Sequence, residues 1–309
     1  MYWAGFTQSL MWKEFTAEGL LAYPNFLETV TQLKTMYMLR ALGGAMYIVG
    51  TVTMCYNLFA TAKKGSLLAN EDAEAPAMAK EAPAPKEHWH RVIERRPVQL
   101  MMFSLVVVLI GGIVEMIPTF LVKSNIPTIA SVKPYTPLEL QGRDIYIKEG
   151  CNNCHSQMIR PFRSETERYG EYSKAGEFVY DHPHLWGSKR TGPDLHRIGG
   201  KYPDSWHYNH MLDPESMSPG SIMPSYPWLF EKILDTSSTG GKIRAMQQLG
   251  VPYPDGYDKE ANADLLKQSS EISERLRQTD MDVMDHTEII ALIAYLQRLG
   301  TDIKVEQAK

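Results

Sequence analysis

Cysteine is scarce: three residues in 309, two of them only three positions apart. A disulfide framework of the kind that staples secreted domains is therefore excluded. There is no excess of charge of one sign. The net charge is −4 and nothing in it calls for a nucleic-acid partner. No basic n-region or small-residue cleavage site is visible in MYWAGFTQSLMW, so no cleavable signal peptide is expected. The apolar runs contain no histidine, and no second cysteine pair exists. Those two absences exclude a histidine-ligated haem–copper centre inside the apolar runs and a dinuclear copper site built on paired cysteines.

What is present is unevenly distributed. The mean hydropathy of −0.29 conceals two long apolar runs before Lys123, followed by a polar, mixed remainder. Ala41–Ala60, ALGGAMYIVGTVTMCYNLFA, is 20 residues without a charge, enough to cross a hydrocarbon core of about 30 Å as a helix. Gly43, Gly44 and Gly50 permit close helix contact. Val98–Val122 is 25 residues with one charge, Glu115, and Pro118 is placed to kink its end. An intramembrane carboxylate is a functional candidate by default, although Glu115, eight positions from Lys123, also suits a hydrated place near the interface.

Residues 61–97 separate the runs. Their middle, EDAEAPAMAKEAPAPKE, has the composition of a flexible linker. The segment holds seven Lys/Arg, an excess that places it on the cytoplasmic side and residues 13–35 and 123–309 outside. Residues 1–12 are apolar but too short to span, and resemble the end of a longer helix.

The remainder is expected to be a helical, loop-rich domain. LELQGRDIYIKE (Leu138–Glu149) predicts a helix that runs into a cysteine motif. HTEIIALIAYLQRL (His286–Leu299) has apolar residues at helical spacing, and Gly300 is a natural stop. The stretch between them, rich in Pro, Gly and Trp, is expected to be mostly loop.

Cys151-Asn-Asn-Cys154-His155 is a CxxCH motif, the attachment pattern of c-type haem. Two thiols add across the vinyl groups and the adjacent imidazole reaches the iron. A zinc site would need two further ligands at suitable spacing, and a redox CxxC a βαβ context that is missing. The sixth ligand must come from elsewhere; the candidates are Met158, Met211, Met217, Met223, Met246, Met281 and Met284. Met158 is too near the attachment turn. Met223, in SIMPSYPWL, is the expected ligand, because Pro224 holds it extended. The others are expected to fill the core. The carbonyl of Pro193, in GPDL (Gly192–Leu195), is placed to accept the second N–H of His155, though an ordinary tight turn reads the same way. Arg160, Arg163, Lys189 and Arg190 are candidate propionate partners, or simply solvated charges. His182, His184, His196, His207 and His210 are expected to be surface or hydrogen-bonding histidines.

Beyond the motif, RPVQLMMFSLVVVLIGGIVEMIP, EGCNNCHSQMIRPFRSETERYGEYSKAGEFVYDHPHLWGSKRTGPDLHRIGG and MPSYPWL closely resemble the monohaem cytochrome c subunit (subunit II) of cbb3-type cytochrome c oxidases, over about residues 88–309. AGFTQSLMW and the run through CYNLFATAK resemble the last helices of the catalytic subunit I of the same enzymes. The chain thus resembles the junction of a fused subunit I/II polypeptide.

The resemblance implies a mainly α fold with two transmembrane helices and a periplasmic class I-like cytochrome c domain with long loops. Its implied organisation is 1–63 subunit I-like with a span at about 41–60, 64–97 cytoplasmic linker, 98–122 anchor helix and 123–309 cytochrome domain, in a bacterial inner membrane. It implies one covalent haem c on Cys151 and Cys154, with His155 and Met223 as iron ligands. The implied role is an electron relay from a dihaem cytochrome c subunit, or another donor, to the haem b and haem b3–copper centre of subunit I, where dioxygen is reduced with proton pumping. Small accessory subunits and membrane lipid complete the implied partners. The oxygen-reducing site itself would lie outside this chain. Two other readings are a free-standing membrane-anchored cytochrome and a haem enzyme of peroxidase type. A filled sixth position at Met223 argues against the enzyme, and the subunit I-like first 63 residues against the free-standing carrier.

Overall fold

The computed structural model describes residues 2–65, 89–122, 127–187 and 189–307. Most of the expected linker, including Ala75, and Lys123 lie outside them. Among the described residues the chain is built from α-helices and short 3-10 turns, with two isolated β-bridges and no strand. It divides into two units, residues 42–126 and residues 1–41 with 127–309.

The N-terminal part of the larger unit is a small knot. Helix α1 (Tyr2–Met11) and helix α2 (Phe26–Gln32) flank a turn closed by an antiparallel bridge between Phe15 and Leu21. Asn25 caps α2, its side chain accepting from the Leu27 amide. Trp12 packs on Phe26 and donates its indole N–H to Thr29 at 3.3 Å. Met11, Phe26, Val30 and Leu33 are buried.

Helix α3 (Lys34–Lys64) is 31 residues long, or about 46 Å. It exceeds the expected 41–60 span because helix-compatible polar residues continue it at both ends. In the smaller unit, α4 (Trp89–Glu94) precedes α5 (Pro97–Leu121). Pro97 starts α5 where its missing N–H costs nothing, and the helix continues through Pro118 to Leu121. Both α3 and α5 are long and apolar enough to cross a membrane, and none of their apolar window is buried within the chain. The Glu115 side chain is exposed along α5.

The remainder of the larger unit is organised by two helices. Thr136 opens α6 (Pro137–Lys148) with a capping box, its hydroxyl accepting from the Glu139 amide while the Glu139 carboxylate accepts from its own. Later come α7 (Arg163–Tyr169), α8 (Asp204–Leu212), α9 (Pro214–Met217), α10 (Trp228–Glu231), α11 (Thr239–Gln248), α12 (Tyr257–Arg277), α13 (Glu288–Arg298) and α14 (Asp302–Gln307). Helices α6 and α13 make the closest packing in the domain. A Cβ at Gly142 would lie 1.9 Å from the Ala291 carbonyl oxygen, so only glycine lets the two backbones approach this far. The Tyr146 and Tyr295 rings meet across the crossing at 5.3 Å. Ile289–Leu296 of α13 is buried on every side, each large apolar side chain contributing about 1.5–3 kcal/mol. Gly300, at φ +66°, ends the segment as expected.

The stretch between α6 and α13 is more than half loop and turn, as expected, but it also carries α8, α11 and the 21-residue α12, which the sequence did not announce. Ala261, Leu265, Ser269, Ile272, Ser273 and Leu276 of α12 are buried, a stripe at helical spacing. Small residues and serines in that stripe weaken its apolar signal.

Candidate haem site

The end of α6 delivers the cysteine motif. Gly150, at φ +74°, takes the left-handed conformation that stops the helix. The chain then winds into a 3-10 turn, Cys151–Asn153. The Cys154 and His155 amides both donate to the Cys151 carbonyl, so Cys151, Cys154 and His155 share one tight turn. Both thiols are free, Cys154 exposed and Cys151 half-buried. Burial, and then the nearby Glu149 carboxylate, pushes the Cys151 thiol up to about 12, so it stays protonated.

Against this turn lies the GPDL loop. The Gly192 amide donates to the Cys154 carbonyl at 3.0 Å and the Leu195 amide to the Ser156 carbonyl at 2.9 Å. His155 Nδ1 lies 2.8 Å from the Pro193 carbonyl oxygen, as the sequence suggested. A carbonyl only accepts, so Nδ1 carries the proton and Nε2 keeps its lone pair for a metal. Burial lowers the His155 pKa, against the Pro193 bond and Asp194, and favours the neutral ring.

Asp194 was not singled out from sequence, yet it organises the loop. Its carboxylate accepts from the Ser156 hydroxyl at 2.6 Å, the Met158 amide at 2.8 Å and the His196 amide at 2.9 Å. Arg190 approaches it at 3.4 Å and Glu165 at 3.0 Å. The Trp186–Gly187 loop closes another side: the Gln157 amide donates to the Trp186 carbonyl at 2.7 Å. Gly187 stands so close that a Cβ would lie 3.1 Å from the Asn152 carbonyl oxygen.

Met223 follows Ser221, whose hydroxyl accepts from its amide. Half-buried, it packs on the same core cluster as Cys151. Just beyond it, the Trp228 indole of α10 donates to Glu149 at the end of α6 at 3.1 Å. Burial, with Cys151 and Cys154 close by, pushes the Tyr226 hydroxyl up to about 12. Met246 belongs to a different cluster with Ile243 and Val251, and Met158 and Met284 are exposed.

Of the candidate arginines, Arg190 pairs with Ser156, Glu165 and Asp194, Arg160 with Glu165 and Arg163 with Glu167 and the Gly19 carbonyl. Lys189 is exposed. The histidines also divide. His182 and His184 reach solvent, while His196 is buried against Ser173 at 2.5 Å and stacks on Phe178. His207 and His210 are drawn inward, each with one buried ring nitrogen lacking a hydrogen-bond partner. His210 stacks on Trp206 at 4.5 Å, and burial, with His155 nearby, lowers its pKa to about 4. A buried, unpartnered ring nitrogen near His155 suits a site that closes around a polar-edged prosthetic group. The donor set and its surroundings therefore fit a haem held by two thioethers and one imidazole.

A mainly helical chain with such a turn, and with two membrane-length helices, has the architecture expected of a membrane-anchored cytochrome. Residues 90–303 match the family described as cytochrome c oxidase, mono-heme subunit/FixO, and the chain belongs to that family. It is also similar, over shorter stretches, to cytochrome c oxidase subunit 1 proteins. It is 38% identical over 79 residues to the cytochrome c oxidase subunit 1 homolog of Azorhizobium caulinodans, covering 26% of this chain and 14% of that protein. With the bacteroid subunit 1 homolog of Bradyrhizobium diazoefficiens it shares 40% over 65 residues, 21% of this chain and 12% of that one. With cytochrome c oxidase subunit 1 of Rhodobacter capsulatus it shares 39% over 77 residues, 25% and 14%. The chain thus spans about one seventh, or less, of the length of these relatives.

Proposed function

We propose that the chain is the electron-relay subunit of a cbb3-type oxidase, carrying one haem c attached through Cys151 and Cys154. The observation that carries this is the His155–Pro193 contact within a CxxCH turn, in a chain of the mono-heme oxidase subunit family. Cys151 and Cys154 would hold the haem through thioethers. His155, its Nδ1 proton directed to the Pro193 carbonyl, would offer Nε2 to the iron. Met223 would supply a soft thioether ligand, which would raise the potential. The bound haem supplies a one-electron ferric/ferrous couple. Asp194, Ser156 and Arg190 hold the proximal loop still, which keeps reorganisation on electron transfer small.

Electrons enter from a dihaem cytochrome c subunit or another donor and leave to the haem b and haem b3–copper centre of subunit I, where oxygen is reduced and protons are pumped. The similarity to subunit 1 relatives supports assigning residues 1–63 to the end of such a subunit, and disfavours a free-standing carrier. Small accessory subunits and membrane lipid complete the partners. The cytochrome domain, 123–309, is periplasmic, and residues 64–97 are a cytoplasmic linker between the span at about 41–60 and the anchor at 98–122 of a bacterial inner membrane.

Pyridine haemochrome analysis and intact mass test the site: both should give one covalent haem, and none or two contradicts it. Membrane-impermeant thiol reagents test the topology. A cysteine placed at Ser237 should be labelled from outside and one at Ala75 protected; the reverse pattern would put the haem on the wrong side.

A further inference from the structure

Helix α7 has two sets of contacts that the relay reading leaves unexplained. One set reaches the N-terminal knot. Arg168 donates to the Trp12 carbonyl at 3.1 Å and to the Tyr23 carbonyl at 3.0 Å. Arg163 donates to the Gly19 carbonyl at 2.7 Å, and its guanidinium lies 4.8 Å from the Phe15 ring centroid. The two arginines thus grip both arms and the tip of the turn between α1 and α2. Their three hydrogen bonds go to backbone carbonyls, so the grip depends mainly on the shape of the turn.

The other set reaches the cysteine turn. Glu165 accepts from Arg190 at 3.0 Å, and Arg190 in turn donates to Ser156 at 2.7 Å, the residue after His155. The Tyr169 ring has the Arg168 guanidinium at 5.9 Å and that of Arg190 at 5.2 Å. Seven residues therefore touch both the segment that leads into α3 and the loop that fixes the proximal histidine.

We infer that α7 is a dock: Arg163 and Arg168 seat the Trp12–Tyr23 turn and thereby hold the cytochrome domain in the position from which it delivers electrons. This rests on the relay reading above. The two arginines are positioning residues. They act on where the domain sits, through the turn, and not on the iron. Guanidinium–carbonyl bonds are charge-assisted and directional, and three of them on one turn give a defined orientation where a single flexible linker would not.

The test uses the full chain in native membranes with its haem and its oxidase partners. Arg163→Ala and Arg168→Ala are compared with Arg168→Lys, which keeps the charge and a single donor nitrogen but not the planar fork. Trypsin cleavage after Lys13, exposed in the docked turn, reports undocking. Each alanine variant should be cleaved at least about tenfold faster, as expected when a local opening loses a charge-assisted bond. Electron transfer from reduced haem to the oxidase should slow by a similar factor, with haem stain, low-spin spectrum and midpoint potential unchanged. Arg168→Lys should fall between wild type and alanine. Unchanged cleavage would overturn the dock. Faster cleavage with unchanged electron transfer would overturn the positioning role, and loss of haem or a shifted potential would reduce the arginines to supports of the site. Failure of the relay reading looks different: the wild-type chain itself would lack covalent haem or would pass no electrons.

Discussion

Gly192 lies against the face of the His155 ring, so close that a Cβ there would sit 2.2 Å from Cε1 and 2.7 Å from Nδ1. His155 is thus held between a carbonyl that accepts its Nδ1–H hydrogen bond and a residue that has no side chain to displace it.

Gly192→Ala should therefore tilt or expel the imidazole. Covalent attachment through the thiols can survive while the iron loses its nitrogen ligand, so the haem stain persists and the low-spin spectrum collapses. Gly241→Ala, where the nearest atom is an arginine nitrogen at 3.9 Å, is the control and should be silent. Visible spectra of the two variants decide it.

Asp194→Asn should loosen the proximal loop. The carboxylate serves three donors at 2.9 Å or closer, with Arg190 at its edge. An amide offers one acceptor and turns two protons toward those donors, at a cost of about 2–4 kcal/mol. The thermal midpoint of the helical signal should fall by several degrees, and ligands such as carbon monoxide should gain access to the reduced protein.

Gly142→Ala should strike the fold itself. The added methyl meets the Ala291 carbonyl backbone rather than a yielding side chain, so α6 and α13 must separate. Overpacking of this kind costs about 1–3 kcal/mol or more. Circular dichroism melting of the purified chain checks it.

These contacts show what was legible beforehand. The α6 and α13 patterns, the CxxCH turn, the Pro193 carbonyl and the two membrane-length runs all rest on local spacing, which sequence displays directly. The role of Asp194 was not legible, because it comes from three donors that only the folded loop brings together. The pairing of Arg190 and Arg160 with Glu165 was not legible either, because that carboxylate lies on α7, 25 and five residues away. Helix α12 hid because its buried stripe uses Ala and Ser, which do not register as apolar. Gly142 was unremarkable in sequence, and its meaning depends on Ala291, far along the chain.

Acid should weaken the domain through its buried histidines. Burial holds His207 at about 4, with Asp204 opposing and His210 adding to the shift; His196 is lowered further by burial and Arg197. An unfolded histidine takes up a proton near its ordinary value of about 6.5, so the unfolded chain binds more protons below that pH. Stability contributed by neutral His207 is complete above about 6.5 and is lost as pH falls toward 4, by up to about 3 kcal/mol. Asp194, Asp181 and Glu139, raised by burial, act in the opposite sense just above their ordinary values, so the comparison must isolate the histidine. His207→Gln should flatten the slope of melting temperature against pH between 6.5 and 4; an unchanged slope would show that His207 does not carry it.

The central claim is that this chain relays electrons through a haem ligated by His155 and Met223, and the most direct measurement is a redox titration of Met223→His in the assembled complex. Imidazole donates more strongly than a thioether and favours ferric iron. The variant should stay low-spin, its midpoint potential should fall, and oxygen consumption with a cytochrome donor should slow while the spectrum of the catalytic haem–copper centre stays intact. An unchanged spectrum and potential would contradict the account, because Met223 would then not be on the iron.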